Sequence, residues 1–267
     1  DYYCDMQEMW KSTDKFFGVP FVWCYLGNFG GNTMLTGDLE TINRRMEHAM
    51  AKCKGNLAGI GATLEGFDCN PYIYEYVFEK AWNFPANRNI QEWVNALADQ
   101  RTGKVDANAR QAWQLLVDSI YNQQTVTQQR QPFFNMRPAF MTSNMVRQIP
   151  QVDKEDKILL EVIEKLLQVD SDRQSYHFDL ANLTRQLLTN HFMSVFYDYQ
   201  KAYEAKDLQT MRLLAKKMTT IIEDLDKVVG TQSSFLTGKW ITFSRACCNE
   251  PMENLYYEQN ARHIIKT

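Results

Sequence analysis

Long apolar runs are missing from this sequence. None of its 267 residues belongs to a stretch near the roughly 18 to 20 apolar positions a membrane-spanning helix needs, so no membrane span is expected. Histidine is scarce: His48, His177, His191 and His263 lie far apart, which argues against a metal site. No metal or cofactor is expected. The six cysteines show neither a CxxC pair nor a disulfide rhythm. Cys24 sits in an apolar run and reads as a small core residue, and the adjacent Cys247 and Cys248 read as buried on a helix. Charge of one sign is lacking too, and a net −3 offers no basic surface for nucleic acid or an anionic membrane. The one N-x-[ST] sequon, Asn182-Leu183-Thr184, falls inside a helical pattern. The chain opens on Asp1-Tyr2-Tyr3 without a starting Met or a signal peptide, and its true N-terminus is expected to lie upstream.

What is present is an apolar content of 45%, enough for one large domain or two ordinary ones with ample core. The most informative stretch is residues 21 to 66. Apolar runs at Phe21–Leu26 and Leu57–Leu64 are too short for helices. Between them Leu39, Ile42, Met46, Ala49 and Met50 follow helical spacing, with Asp38 as N-cap and Gly55 as stop signal. Strand, helix, strand in this order is a βαβ unit with parallel strands and a right-handed crossover. Both strands then end on one edge, where a (β/α) barrel assembles its chemistry.

Beyond residue 66 the pattern is helical. Asn70-Pro71 opens a helix over Tyr72 to Trp82, which Pro85 breaks. Apolar stripes then recur near 89–101, 106–122, 153–169, 173–205, 207–229 and 231–248, with Asp106 and Asp153 as caps. A weak strand signal occurs at Phe133 to Met141. The expected architecture is α/β plus all-α: residues 1–84 forming the last units of a barrel, residues 85–267 an all-helical domain. Gln123 to Pro150, rich in Gln, Asn, Thr and Pro, is too long for a routine connection and reads as a functional loop.

Candidate chemistry gathers at the strand ends. Glu65 directly follows the uncharged run Ile60 to Leu64, and an unpaired carboxylate there would cost on the order of several kcal/mol. It either caps the strand end through backbone N–H groups or acts on a ligand. The loop Gly27-Asn28-Phe29-Gly30-Gly31-Asn32 combines close backbone approach with the amides of Asn28 and Asn32. Its spacing is neither GxGxxG nor a P-loop. Trp23 faces either the barrel interior or the helices. Asp5 and Glu8 either face the active edge or are solvated loop charges.

The strings PFVWCYLGNFGGN (Pro20 to Asn32) and ATLEGFDCNPYIYE (Ala62 to Glu75) closely resemble the α-N-acetylglucosaminidases of glycoside hydrolase family 89. Further matches are Ala81-Trp82, Glu92 to Val94, Ala112 to Asn122, Asp179 to Gln186 and Tyr256 to Arg262, so the resemblance covers nearly the whole chain. It implies that Glu65 is the catalytic nucleophile and that Asn28, Phe29 and Asn32 border a sugar pocket, with Trp23 a further candidate contact. It also implies that Tyr121 and Arg137 belong to elements through which the helical domain closes over that pocket. The loop after Arg137 carries no tryptophan, so an aromatic platform expected there is absent.

The implied activity is exo-acting, retaining hydrolysis of terminal α-linked N-acetylglucosamine from an oligosaccharide or glycoconjugate. Two carboxyl groups about 5 Å apart would carry it. The acid/base partner lies upstream in that family and nothing here matches it, Asp5 being the nearby alternative. The chain is therefore expected to be an interior portion of a larger enzyme, inactive by itself. A secreted, periplasmic or lysosomal-type compartment fits the resemblance. The competing reading is a non-catalytic helical carbohydrate-binding or scaffold protein.

Overall fold

The computed structural model describes residues 1–27, 34–63, 70–82, 89–123, 139–146 and 149–266. A one-turn helix α1 (Met9–Ser12) precedes strand β1 (Phe21–Tyr25). Asp1 and Cys4 run beside β1: the Cys24 N–H donates to the Asp1 carbonyl and the Cys4 N–H to the Cys24 carbonyl, each at 2.9 Å. After β2 (Gly37–Asp38), helix α2 (Leu39–Lys52) crosses over to β3 (Leu57–Ala62). β1 and β3 pair in parallel with Trp23 beside Ile60 and Tyr25 beside Ala62, so the expected βαβ unit is present. The Asp38 carboxylate caps α2 by accepting the Thr41 N–H at 2.8 Å.

β1 stops one residue short of its apolar run for a visible reason. The Leu26 N–H donates to Oδ1 of Asp5 at 3.0 Å rather than to a neighbouring strand. Asp5 and Glu8 are thus buried and bonded, which corrects the solvated-loop reading. Glu8 accepts the Trp10 indole N–H at 3.0 Å and pairs with Lys11.

The remainder is helical: α3 (Pro71–Trp82), α4 (Ile90–Thr102) and α5 (Ala107–Ser119), then β4 (Asn122–Gln123) and α6 (Ser143–Val146). They are followed by α7 (Ile149–Leu166), α8 (Gln174–Glu204), α9 (Leu208–Gly230), α10 (Thr237–Arg245) and α11 (Pro251–Lys266). Asp106 caps α5 as expected, accepting from Asn108 and Ala109. Asp153 does not cap α7. The helix starts a turn earlier, with a proline in its first turn where a missing N–H loses no bond, and Asp153 instead accepts from the Ser194 hydroxyl at 3.0 Å. The strand signal at 133–141 lies outside the described residues up to 138, and residues 139–141 form no strand.

The end of the chain departs further from expectation. Cys247 and Cys248 follow α10 in a bend, Cys247 exposed and Cys248 half-buried, rather than lying buried on a helix. α11 was not anticipated: its apolar residues form no sharp stripe, and Tyr256 and Ile264 face outward. Along α9 the expected stripe is real but buries only Ile221 fully, against Phe192 and Val195 of α8.

One apolar core runs through both halves. Trp23 and Tyr25 of β1, Ile42 and Met46 of α2, Tyr72 and Tyr76 of α3 join Trp93, Trp113, Leu116, Leu159 and Tyr176 in the same cluster. Each such side chain stabilises the fold by about 1.5–3 kcal/mol through burial. The strands and the helices therefore share one core.

Candidate active site

Three segments expected to bear site residues follow Gly27, Thr63 and Gln123 and lie outside the described residues, and their flanks meet at one place. Asn28, Phe29, Asn32, Glu65 and Arg137 themselves lie outside the described residues. The meeting place is Met34 to Asp38, where residues 34 to 37 are all buried.

Three backbone groups of this buried stretch are met by side chains from elsewhere in the chain. The Leu35 N–H donates to Oε1 of Gln186, on α8, at 2.8 Å. The Thr36 N–H donates to Oδ1 of Asn70 at 3.2 Å, and Nδ2 of Asn70 returns a bond to the Met34 carbonyl at 3.2 Å. Asn70 immediately follows the segment that contains Glu65 and is 1% exposed. Gln186 is held in turn: its Nε2 donates to Oδ1 of Asn190 at 2.8 Å, and Asn190 donates to Glu155 of α7 at 3.4 Å. The chain of bonds thus runs from the loop flank through α8 into α7.

The third segment joins through backbone pairing. β2 and β4 form an antiparallel ribbon in which Gly37 lies opposite Gln123 and Asp38 opposite Asn122. Gly37 has φ +145°, and a side chain there would run into Ile73 and Tyr72 of α3, so only glycine lets the ribbon approach α3. Tyr121, just before the ribbon, is buried at 3% exposure with its ring 4.1 Å from that of Tyr72. Tyr72, Tyr121, Trp113, Asp179 and Asn182 border a cavity of about 10 Å³, room for one water.

Trp23 is completely buried in the core. Its indole N–H has no hydrogen-bond partner among the described residues. Asp5, through Leu26, holds the end of β1 at the point where the chain departs towards Asn28. No group of three or more His, Cys, Asp or Glu is placed to hold a metal among the described residues.

Asn70, Gln186 and Asp5 were not singled out as loop anchors from sequence. The available signal was their neighbourhood: Asn70 opens α3, and Gln186 ends the string that begins at Asp179.

Residues 1–84 match the Alpha-N-acetylglucosaminidase (NAGLU) tim-barrel domain and residues 93–267 the NAGLU C-terminal domain. A human alpha-N-acetylglucosaminidase is 29% identical over 99% of this chain and 36% of its own length. A family 89 glycoside hydrolase from Clostridium perfringens, solved with 2-acetamido-1,2-dideoxynojirmycin, superposes with a TM-score of 0.83 at 22% identity, covering 99% of this chain and 31% of that one. A variant of the Clostridium enzyme with two glutamates changed to glutamine, holding its substrate GlcNAc-α-1,4-galactose, has the same TM-score at 21% identity, covering 99% of this chain and 30% of its own. The chain spans about a third of the length of these relatives. Parallel strands that form part of a barrel, followed by packed helices, agree with both domain matches, and the chain belongs to the alpha-N-acetylglucosaminidase (NAGLU) family, glycoside hydrolase family 89.

Proposed function

We propose that the protein carrying this chain is an exo-acting, retaining glycosidase that removes terminal α-linked N-acetylglucosamine from glycans. The observation that carries the reading is the convergence at Met34–Asp38. The flanks of the segments bearing Asn28, Glu65 and Arg137 are bonded to one another beside the C-terminal ends of the parallel strands, the edge on which barrel enzymes build their sites. Family membership supplies the chemistry.

In this reading Glu65 attacks the anomeric carbon and forms the glycosyl-enzyme bond. An α-linked 2-acetamido sugar needs such a nucleophile. Its acetamido group and its leaving group share a face of the ring, so the acetamido oxygen cannot attack from behind. A second carboxyl group protonates the leaving oxygen and later deprotonates water. Asp5 is a poor candidate for that role, since its carboxylate is buried and committed to the Leu26 N–H. Asn28, Phe29, Asn32, Tyr121 and Arg137 surround the sugar, residues 1–84 form the barrel part and residues 85–267 the helical domain above it. The substrate class is an α-GlcNAc-terminated glycan such as the disaccharide held by the Clostridium relative. A secreted, periplasmic or lysosomal-type compartment is the corresponding location.

The test is hydrolysis of an aryl α-N-acetylglucosaminide by the complete protein, followed by NMR of the first sugar released. The α-anomer is expected first, and Glu65→Gln should lower turnover by roughly several orders of magnitude with the fold intact. A β-anomer product or near-normal turnover in Glu65→Gln overturns the reading. Sugar binding without any hydrolysis would instead make this a non-catalytic carbohydrate-binding protein.

A further inference from the structure

We propose that Asn70 and Gln186 are positioning residues: a buried carboxamide clasp that fixes the sugar-facing loop against the segment bearing the nucleophile. This rests on the glycosidase reading above.

The geometry is economical. Gly27 and Met34 flank residues 28–33, and Thr63 and Asn70 flank residues 64–69, both outside the described residues. Asn70 therefore stands at the return of the Glu65 segment, and its side chain grips the return of the Asn28–Asn32 segment at two points, the Thr36 N–H and the Met34 carbonyl. Gln186 adds a third grip at the Leu35 N–H. Three successive residues of one loop flank are thus bonded by side chains from two other elements, where a strand would normally supply the partners. On the departing side Asp5 holds Leu26.

Burial makes the clasp discriminating. Asn70 and Gln186 are each 1% exposed, so water is not available to replace a lost bond. A buried N–H left without an acceptor forces the backbone to move. Because Gln186 is itself braced by Asn190 and, through it, Glu155, its carboxamide has a fixed direction. Such bracing suits a residue that sets the position of a loop. Packing alone would be served as well by an apolar side chain of equal volume.

In the complete protein, Gln186→Met keeps the volume and removes the acceptor, and Asn70→Asp keeps the acceptor for Thr36 but loses the donor to Met34. Amide hydrogen exchange is measured together with kcat and KM on an aryl α-N-acetylglucosaminide. Exchange at Leu35 and Thr36 should rise by about tenfold or more in Gln186→Met, while α4 and α5 amides stay protected. kcat should fall by about tenfold or more with KM changed far less, because a misplaced loop costs transition-state contacts rather than ground-state binding. Asn70→Asp, which sets a second acceptor against the Met34 carbonyl, should show the same pattern, and it serves if Gln186→Met does not fold. Unchanged kcat in both variants, with Glu65→Gln inactive, overturns the clasp alone. Near-normal turnover in Glu65→Gln overturns the glycosidase reading, and the exchange data then decide the clasp by themselves: wild-type protection at Leu35 and Thr36 rejects it.

Discussion

The Arg101 guanidinium holds the Asp179 carboxylate at two points, Nε to Oδ2 at 2.5 Å and Nη2 to Oδ1 at 2.6 Å. Both residues are buried, and Nη1 of Arg101 also reaches Glu75 at 3.3 Å. One guanidinium therefore ties α4 to α8 and to α3, the helix that follows the Glu65 segment. It also lies over the Trp113 ring at 5.7 Å. Asp179 borders the small cavity beside Tyr121.

Removing one partner of this pair strands a buried charge. Arg101→Met is expected to destabilise the fold by about 3 kcal/mol or more. Arg101→Lys should recover little, because an ammonium cannot reproduce the fork that meets both carboxylate oxygens. Denaturant unfolding of the two variants decides the matter; wild-type midpoints in both would show that the pair contributes nothing net.

Tyr121 separates packing from ligand contact by a single atom. Tyr121→Phe keeps the ring that rests on Tyr72 and removes only the hydroxyl. Loss of a hydroxyl that bonds the sugar should weaken iminosugar binding by about 1–2 kcal/mol. Calorimetric titration measures it, and unchanged affinity assigns Tyr121 to the core.

His191 on α8 gives a pH signature. Burial, aided by Lys217 of α9 and opposed by Asp153 of α7, holds its imidazole below the ordinary value of 6.5. The unfolded chain then binds the proton more readily than the folded one, so stability is full above the unfolded value and declines as pH falls through and below it. His191→Gln should flatten the dependence of unfolding temperature on pH between about 7 and about 5. An identical slope in both proteins refutes this.

The βαβ unit was legible because three independent signals agreed: short apolar runs at Phe21 and Leu57, a helical stripe between them, and a cap at Asp38. The helices were legible by period, with ends that shifted where capping was misjudged, as at Asp153. The clasp was not legible. Nothing in the periodicity of α8 distinguishes Gln186 from a solvated glutamine, and its partner Leu35 lies 151 positions away. Asp5 and Glu8 were misjudged for the same reason: a charge in a loop reads as solvated until the strand end and the indole that bind it are seen. Long-range polar pairing leaves no local pattern, whereas apolar burial does.

Gly37 offers the sharpest test of how the site is assembled. Its φ of +145° is costly for any residue with a Cβ, by about 1–3 kcal/mol. The added methyl in Gly37→Ala would also meet the tip of the Ile73 side chain and come within 3.0 Å of the Tyr72 hydroxyl. Ile73 can rotate away, so the backbone term dominates, and the ribbon must shift or twist away from α3. That shift has a direction. It pulls β2 from β4, and with it the flank of the segment bearing Arg137, while the clasp at Asn70 and Gln186 still holds residues 34 to 36. Gly37→Ala should therefore destabilise the protein by about 2 kcal/mol and speed amide exchange at Gln123, leaving Leu35 protected. Activity should fall more than Gly55→Ala lowers it, since Gly55 has open space at its Cβ and a permissive backbone. Equal stability and exchange in the two alanine variants would show that the ribbon does not depend on the close approach of Gly37 to α3.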